Sequence, residues 1–205
     1  MDIHQQISQR IRELRLARGY TLEELAARSD VSRAMISMIE RATANPTAVV
    51  LDKLANGLGV SLASLFGGVE SSASSASSAS SASSASSASF DPLLRHAEQP
   101  AWQDPESGYI RRSLTPQASK TSAQLVEVLF PAHARITYDV TQRDHAIQQQ
   151  IWIITGQLEI QLGEQTYQLH QGDCLAICVD RPIIFSNPNA EPCRYVLAIE
   201  DSKTP

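Results

Sequence analysis

The chain has 205 residues, 42% of them hydrophobic and 19% charged, with a formal net charge of −5. That is room for two small domains of ordinary globular composition, and no apolar run approaches the ~20 residues that cross a bilayer, which argues against a membrane role. The opening segment MDIHQQISQR lacks the apolar stretch of a secretory signal, so a cytoplasmic location with reduced thiols is expected. The charge is unevenly spread: residues 1–66 hold eight arginines and lysines against seven carboxylates, a balance of +1, and the remainder carries −6. Any affinity for nucleic acid must therefore come from local placement of arginines and from dimerisation.

In chain order, Ile3, Ile7, Ile11 and Leu14 fall on one helical stripe that ends at Arg18-Gly19. Thr21 with Glu24 three residues on forms a capping box for a short second helix through Leu22, Leu25 and Ala26. A tight turn at Ser29-Asp30-Val31 leads to Ser32, which caps a third helix with Ile36 and Ile39 inward. Asn45-Pro46-Thr47 breaks the chain and opens a fourth helix carrying Leu51, Leu54, Ala55 and Leu58, and Ser61 begins a last turn with Leu62, Leu65 and Phe66.

From Ser71 to Ser89 the sequence is a pure Ser-Ser-Ala repeat. It has too little apolar area to offset its ordering entropy and reads as a flexible tether, running less uniformly to about Pro105. Beyond it the period becomes two, in QLVEVLF, RITYDV, QIWII, LEIQL, QTYQL, CLAIC, IIFS and CRYVLAI, the signature of strands. Gly163-Glu164 between two of them suits a type II′ hairpin turn. Many short strands without intervening helices point to a sandwich or small barrel. Cys174 and Cys178 on one straight strand would stand about 13 Å apart, too far to bridge. With Cys193, they read as small core or half-exposed thiols, with redox sensing as the alternative.

Short helices joined by a tight turn to a serine-capped third helix are what a helix-turn-helix needs to seat one helix in the major groove. Over residues 6–66 the chain resembles the Xre family of phage-repressor-like regulators. Carrying the likeness are Leu25-Ala26, Val31-Ser32, Ile36, Ile39-Glu40-Arg41, Asn45-Pro46 and Leu58-Gly59-Val60. The family often has glycine where Arg41-Ala42 stands here, so a different loop is expected. The resemblance places Arg33, Ala34 and Met38 against base edges, with Ser37 nearby, and gives Thr21, Ser32 and Arg41 phosphate contacts. Chemically, Arg33 can bind guanine O6 and N7 bidentately and Ala34 can touch a thymine methyl. Spacing in related repressors also implies an ion pair between Arg15 and Glu40.

The segment from about Gln124 to Ile199 resembles the cupins, small double-stranded β-barrels often appended to Xre-type domains. It does so through Pro131, His145, Ile151 to Ile154, Gly156, Leu158, Gly172-Asp173, Pro182 and Asn187. Metal-binding cupins use two histidines, a glutamate and a later histidine; here those positions are Arg143, His145, Gln149 and Ile183. One of four donors remains and an arginine offers no lone pair, so no metal and no cofactor are expected. The same positions suggest an effector pocket: Arg143 as a fork for a carboxylate, His145 and Gln149 orienting, and Ile183 with Phe185 as an apolar wall. Arg143 pointing to solvent beside Asp139 or Asp144 is the open alternative.

The expected fold class is thus α+β multidomain: an all-α, lambda-repressor-like helix-turn-helix of five helices over 1–68, a linker over 69–105, and an all-β cupin barrel (double-stranded β-helix, jelly roll) over 106–205. The expected function is a homodimeric regulator that binds a double-stranded DNA operator and senses a small anionic or zwitterionic effector, with amino-acid- or sulfur-related compounds as one class by analogy. It is not expected to be an enzyme; the alternative is a cupin dioxygenase or isomerase fused to a DNA-binding module.

Overall fold

The computed structural model describes residues 2–66, 91–116, 123–139 and 147–201. The first of these stretches holds four α-helices: α1 (Ile3–Ala17), α2 (Leu22–Ser29), α3 (Arg33–Glu40) and α4 (Ala48–Gly57). The expected fifth helix is a single 3-10 turn, Leu62–Leu65, because only four residues separate Ser61 from Phe66. Side chains cap three of the helices as their sequences require. Thr21 and Glu24 form the full capping box on α2, Ser32 accepts from the Met35 amide, and Thr47 accepts from the Val50 amide. Ile7, Ile11, Leu25, Ile36, Ile39, Leu51, Leu54 and Leu58 close the helical core.

The loop after α3 differs from the expectation. Ala42 sits in the left-handed region at φ 55°, its amide donates to the Ile39 carbonyl and that of Thr43 to the Met38 carbonyl. This is the Schellman closure that also ends α1 at Gly19 and α4 at Gly59. The chain keeps the glycine-type loop and bears the strain on an alanine. Ala42→Gly should therefore stabilise the protein by about 0.5–1 kcal/mol. A denaturation midpoint unchanged or lowered would show that the left-handed alanine is not strained.

Among the described residues ten strands follow, in two antiparallel sheets facing one another as a jelly-roll barrel. One sheet has six strands in the order β1 (Ala101–Gln103), β2 (Ile110–Ser113), β3 (Ala123–Phe130), β10 (Cys193–Asp201), β5 (Ile147–Thr155) and β8 (Cys174–Val179). The other has four, in the order β4 (Arg135–Tyr138), β9 (Ile183–Ser186), β6 (Gln157–Leu162) and β7 (Gln165–His170). Parity turns Val126, Val128, Phe130, Ile151, Ile153, Leu158, Ile160, Phe185, Tyr195 and Leu197 inward. The β6–β7 hairpin is the expected two-residue turn, with Gly163 at φ 58° and only that member at positive φ. Between β5 and β6, Gly156 at φ 82° passes so close to the chain that a Cβ would lie 2.7 Å from the Pro192 carbonyl oxygen.

Two strands, β1 and β2, were not expected, and β1 lies inside the stretch read as linker. Within that stretch a 3-10 turn at His96–Glu98 precedes β1, which pairs with β2. The Ser-Ser-Ala repeat itself lies outside the described residues. The helical unit docks on the barrel through this stretch. Asp104 accepts from the Ala48 amide at 2.8 Å, the first N–H of α4. Phe66 meets Trp102 edge to face at 5.6 Å, and Trp102 meets Tyr109 in the same way at 5.8 Å.

Candidate functional site

Residues Arg33, Ala34, Ser37 and Met38 occupy one face of α3, the first two exposed and the others half-buried. The inward face of the same helix is Ile36 and Ile39, so the groove-reading candidates are those that packing leaves free. Thr21 and Ser32 stand exposed at the first ends of α2 and α3, and Arg41 at the last end of α3, where its Nε donates to the Ser37 carbonyl at 3.1 Å. Hydroxyls, amides and a cation in this arrangement suit phosphate contacts. Arg33 pairs with Glu23, but both side chains are about two-thirds exposed; such a pair is worth under ~1 kcal/mol and releases the guanidinium readily. The principal contacts with the barrel come from α1 and α4, which leaves α3 presented to solvent.

What holds α3 in place is the pair expected from the sequence. Arg15 Nε and Nη2 donate to the two Glu40 carboxylate oxygens at 2.7 and 2.8 Å, and Nη1 donates to the Tyr20 carbonyl at 2.8 Å. Both side chains are nearly buried, and the hydrogen bond to Glu40 raises the Arg15 pKa above its ordinary value. The fork thus ties α1 to the C-terminal end of the recognition helix.

The second site is a cavity between the two sheets. Gln149, Ile183 and Phe185 all line it, as expected, together with Tyr109, Arg111, Tyr138 and Tyr195. Arg143 and His145 lie outside the described residues. One end of the cavity is closed by the helical unit, through Asp52 of α4 and Ser61, Leu62 and Ala63. Tyr109 and Tyr138 approach hydroxyl to hydroxyl at 3.3 Å. Burial raises the pKa of Tyr109, and those of Tyr138 and Tyr195 well above the ordinary value, so all three remain neutral hydroxyls.

Cupins that hold a metal use imidazole and carboxylate donors. Here a neutral amide and an isoleucine face the space at two of those positions, and the buried guanidinium of Arg111 faces it as well. Among the described residues, no three His, Cys, Asp or Glu side chains come together. The described lining does not fit a cation. The cysteines add no site: Cys174 is exposed, Cys178 half-buried, and burial pushes the Cys193 thiol up to about 11. Sequence reasoning missed Asp104, Arg111 and the three tyrosines; of these, Arg111 stands at the inward position of the short strand β2.

An exposed recognition helix on a four-helix unit, docked to a jelly-roll barrel, defines a helix-turn-helix DNA-binding protein with a cupin-type barrel. The helix-turn-helix family model HTH_3 matches residues 11–65. Over 65 residues, 32% of this chain and 84% of the relative, the sequence is 40% identical to the uncharacterized HTH-type transcriptional regulator y4dJ of Sinorhizobium fredii. The chain belongs to the helix-turn-helix transcriptional regulators. Its whole fold is similar to that of an HTH_3 family transcriptional regulator from Vibrio cholerae, at 23% identity and a TM-score of 0.71, covering 99% of this chain and all of that one. The barrel alone aligns with the cupin_2 domain of an XRE family regulator from Enterobacter cloacae, at 14% identity and a TM-score of 0.42, over 46% of this chain and 98% of that one. No helix among the described residues is long and apolar enough to cross a membrane.

Proposed function

We propose that the protein is a homodimeric, sequence-specific DNA-binding regulator and that its barrel cavity senses a small anionic or zwitterionic effector. The observation that carries this reading is the solvent-facing row Arg33, Ala34, Ser37 and Met38 on α3, free of the barrel that closes the other side of the helical unit. One short helix contacts too few bases for typical operator specificity, and a two-fold pair doubles the reading surface. With its operator selected from random duplexes, Arg33→Ala should relax preference at one base pair per half-site, costing about 1–3 kcal/mol there. Arg41→Ala should weaken cognate and random DNA alike. Equal losses on both DNAs for Arg33→Ala would remove it from base readout.

Dimerisation through the barrel is supported by the outer face of the six-stranded sheet. There Leu125, Leu129 and Trp152 are 44%, 41% and 51% exposed, and Trp152 stands opposite Val196 in register. On the same face Glu127, between Leu125 and Leu129 on β3 and in register with Val196, pairs with Arg112 and Arg194, so the patch carries an ion-pair cluster among its apolar side chains. A second copy of the same face is the occupant this patch fits. Trp152→Glu should convert the dimer to monomer in sedimentation velocity and lower operator affinity; a dimer that persists would place the interface elsewhere.

A further inference from the structure

The cavity has a feature that an apolar barrel does not need. Arg111 lies on β2, in register with Trp102 on one side and Val128 on the other. Both neighbours are buried, and the pleat sends the arginine inward with them, leaving it 5% exposed. Its Nε and Nη2 are buried and donate to no acceptor among the described residues. No carboxylate of the described residues forms an ion pair with it. The guanidinium lies over the ring of Phe66, 5.2 Å from its centroid, at the end of the helical unit. A guanidinium does not give up its proton to escape such a place, and a buried charge without an acceptor is among the most unfavourable groups a core can hold.

We infer that Arg111 is the anchor of a ligand site for a small monocarboxylate, and that the DNA-binding unit forms one wall of that site. The inference rests on the effector reading above and names its chemistry. A planar donor fork matches a carboxylate, and the neutral hydroxyls of Tyr109, Tyr138 and Tyr195 with the Gln149 amide surround the same space. Asp52, 4% exposed, lies on the lining too, and among the described residues Arg111 is the one guanidinium on that lining, a match for a single carboxylate. The space is small: the centre of a water-sized sphere can range over about 50 Å3, several times the room one water needs. Apart from Ser61, the rest of the lining is aliphatic and aromatic, including Ile147, Val179 and Ile183, so the body of the acid is short and apolar. Because Leu62 and Ala63 line the same space as the barrel strands, an occupant touches the DNA-binding unit and the barrel at once. It therefore binds the docked arrangement more tightly than a separated one, as any ligand that shifts a domain equilibrium must.

The test titrates the full-length protein by calorimetry with acetate, propanoate and butanoate, and with propanamide and butanamide as neutral matches. Propanoate or butanoate should bind and the amides should not. Arg111→Met should weaken the acid by roughly tenfold or more, while the ligand-free protein melts no lower than wild type, because an unsatisfied buried charge has been removed. Arg111→Lys should retain part of the affinity, and Leu62→Ala, on the helical side, should lose roughly fivefold. If the acids bind wild type and Arg111→Met equally, the effector reading stands and this inference falls. If the amides bind and the acids do not, the inference likewise falls alone. If none of the five compounds binds, both fall. An Arg111→Met protein that fails to fold while Arg111→Lys folds but binds no acid would show that the cation serves the fold, overturning the assignment. An unchanged affinity in Leu62→Ala would remove the DNA-binding unit from the site.

Discussion

Glu40→Ala is expected to cost the helical unit about 3 kcal/mol. The alanine removes both acceptors of the Arg15 fork, whose Nε and Nη2 bonds are 2.7 and 2.8 Å long. It leaves a charged guanidinium nearly buried with only the Tyr20 carbonyl as partner. Breaking such a pair costs more than the pair contributes, because the surviving charge keeps its desolvation penalty. Arg15→Ala should cost a similar amount. The double variant should lose less than the two single losses combined, since with both groups gone neither charge is stranded. Urea denaturation followed by circular dichroism at the helix band measures all three. A Glu40→Ala loss under about 0.5 kcal/mol would mean that the pair behaves as a solvent-screened surface bridge. Operator affinity should fall with stability in these variants, because the fork fixes the last turn of α3, from which Met38 and Arg41 project.

The Arg15–Glu40 pair was legible because it follows a family spacing, and the caps at Thr21 and Ser32 were legible because capping is local. The other eight strands were legible because each places apolar residues at alternate positions. By contrast, β1 has only three residues, and in IRRS of β2 the inward position is an arginine, which inverts the hydrophobic alternation. A rule that seeks apolar residues inside must miss a strand whose inward side chain is charged for a purpose. Ala42 shows a second limit: a left-handed position was expected to need glycine, yet the two Schellman hydrogen bonds hold an alanine there. In the cavity, Gln149 and Ile183 followed from the cupin resemblance and Phe185 from its strand parity with Ile183. The wall made by Asp52 and Ser61 to Ala63 could not, since nothing in the sequence announces that two units more than twenty residues apart will dock.

Under the proposed effector reading, that docking gives occupancy of the cavity a route to the operator within one chain. A ligand confined to the barrel would have to act through the arrangement of two barrels in a dimer. One that bridges β2 and the turn after α4 acts within a single chain, by holding the helix-turn-helix in a fixed pose relative to its own barrel. Fixed poses in both protomers set the distance between recognition helices, and half-site spacing is what a helix-turn-helix dimer is most sensitive to. On this account, the contacts at Asp104, Phe66 and Arg111 matter to DNA binding although none of them faces DNA.

Asp104→Ala should release the two units from each other. The carboxylate is 3% exposed, and it accepts from the Ala48 amide at 2.8 Å and from the Ser107 amide at 2.8 Å and its hydroxyl. It thereby joins the N-terminus of α4, where the helix dipole favours a negative charge, to the loop before β2. The alanine leaves the buried N–H of Ala48 and the half-buried N–H of Ser107 without their acceptor, for a loss of about 2–4 kcal/mol. Asp104→Asn keeps an acceptor oxygen and should lose less. Trp102 reports the separation. It is 1% exposed and packs edge-on against Phe66, so undocking wets one side of its ring. In a Trp152→Phe background Trp102 is the sole tryptophan of the chain, and its emission should shift to the red in Asp104→Ala at temperatures where the far-ultraviolet circular dichroism is still native. Heating should then separate the unfolding of the helical unit from that of the barrel, whereas the parent should melt with the two coupled. If emission and melting both match the parent, the aromatic contacts hold the units together without Asp104, and the carboxylate serves only to cap α4.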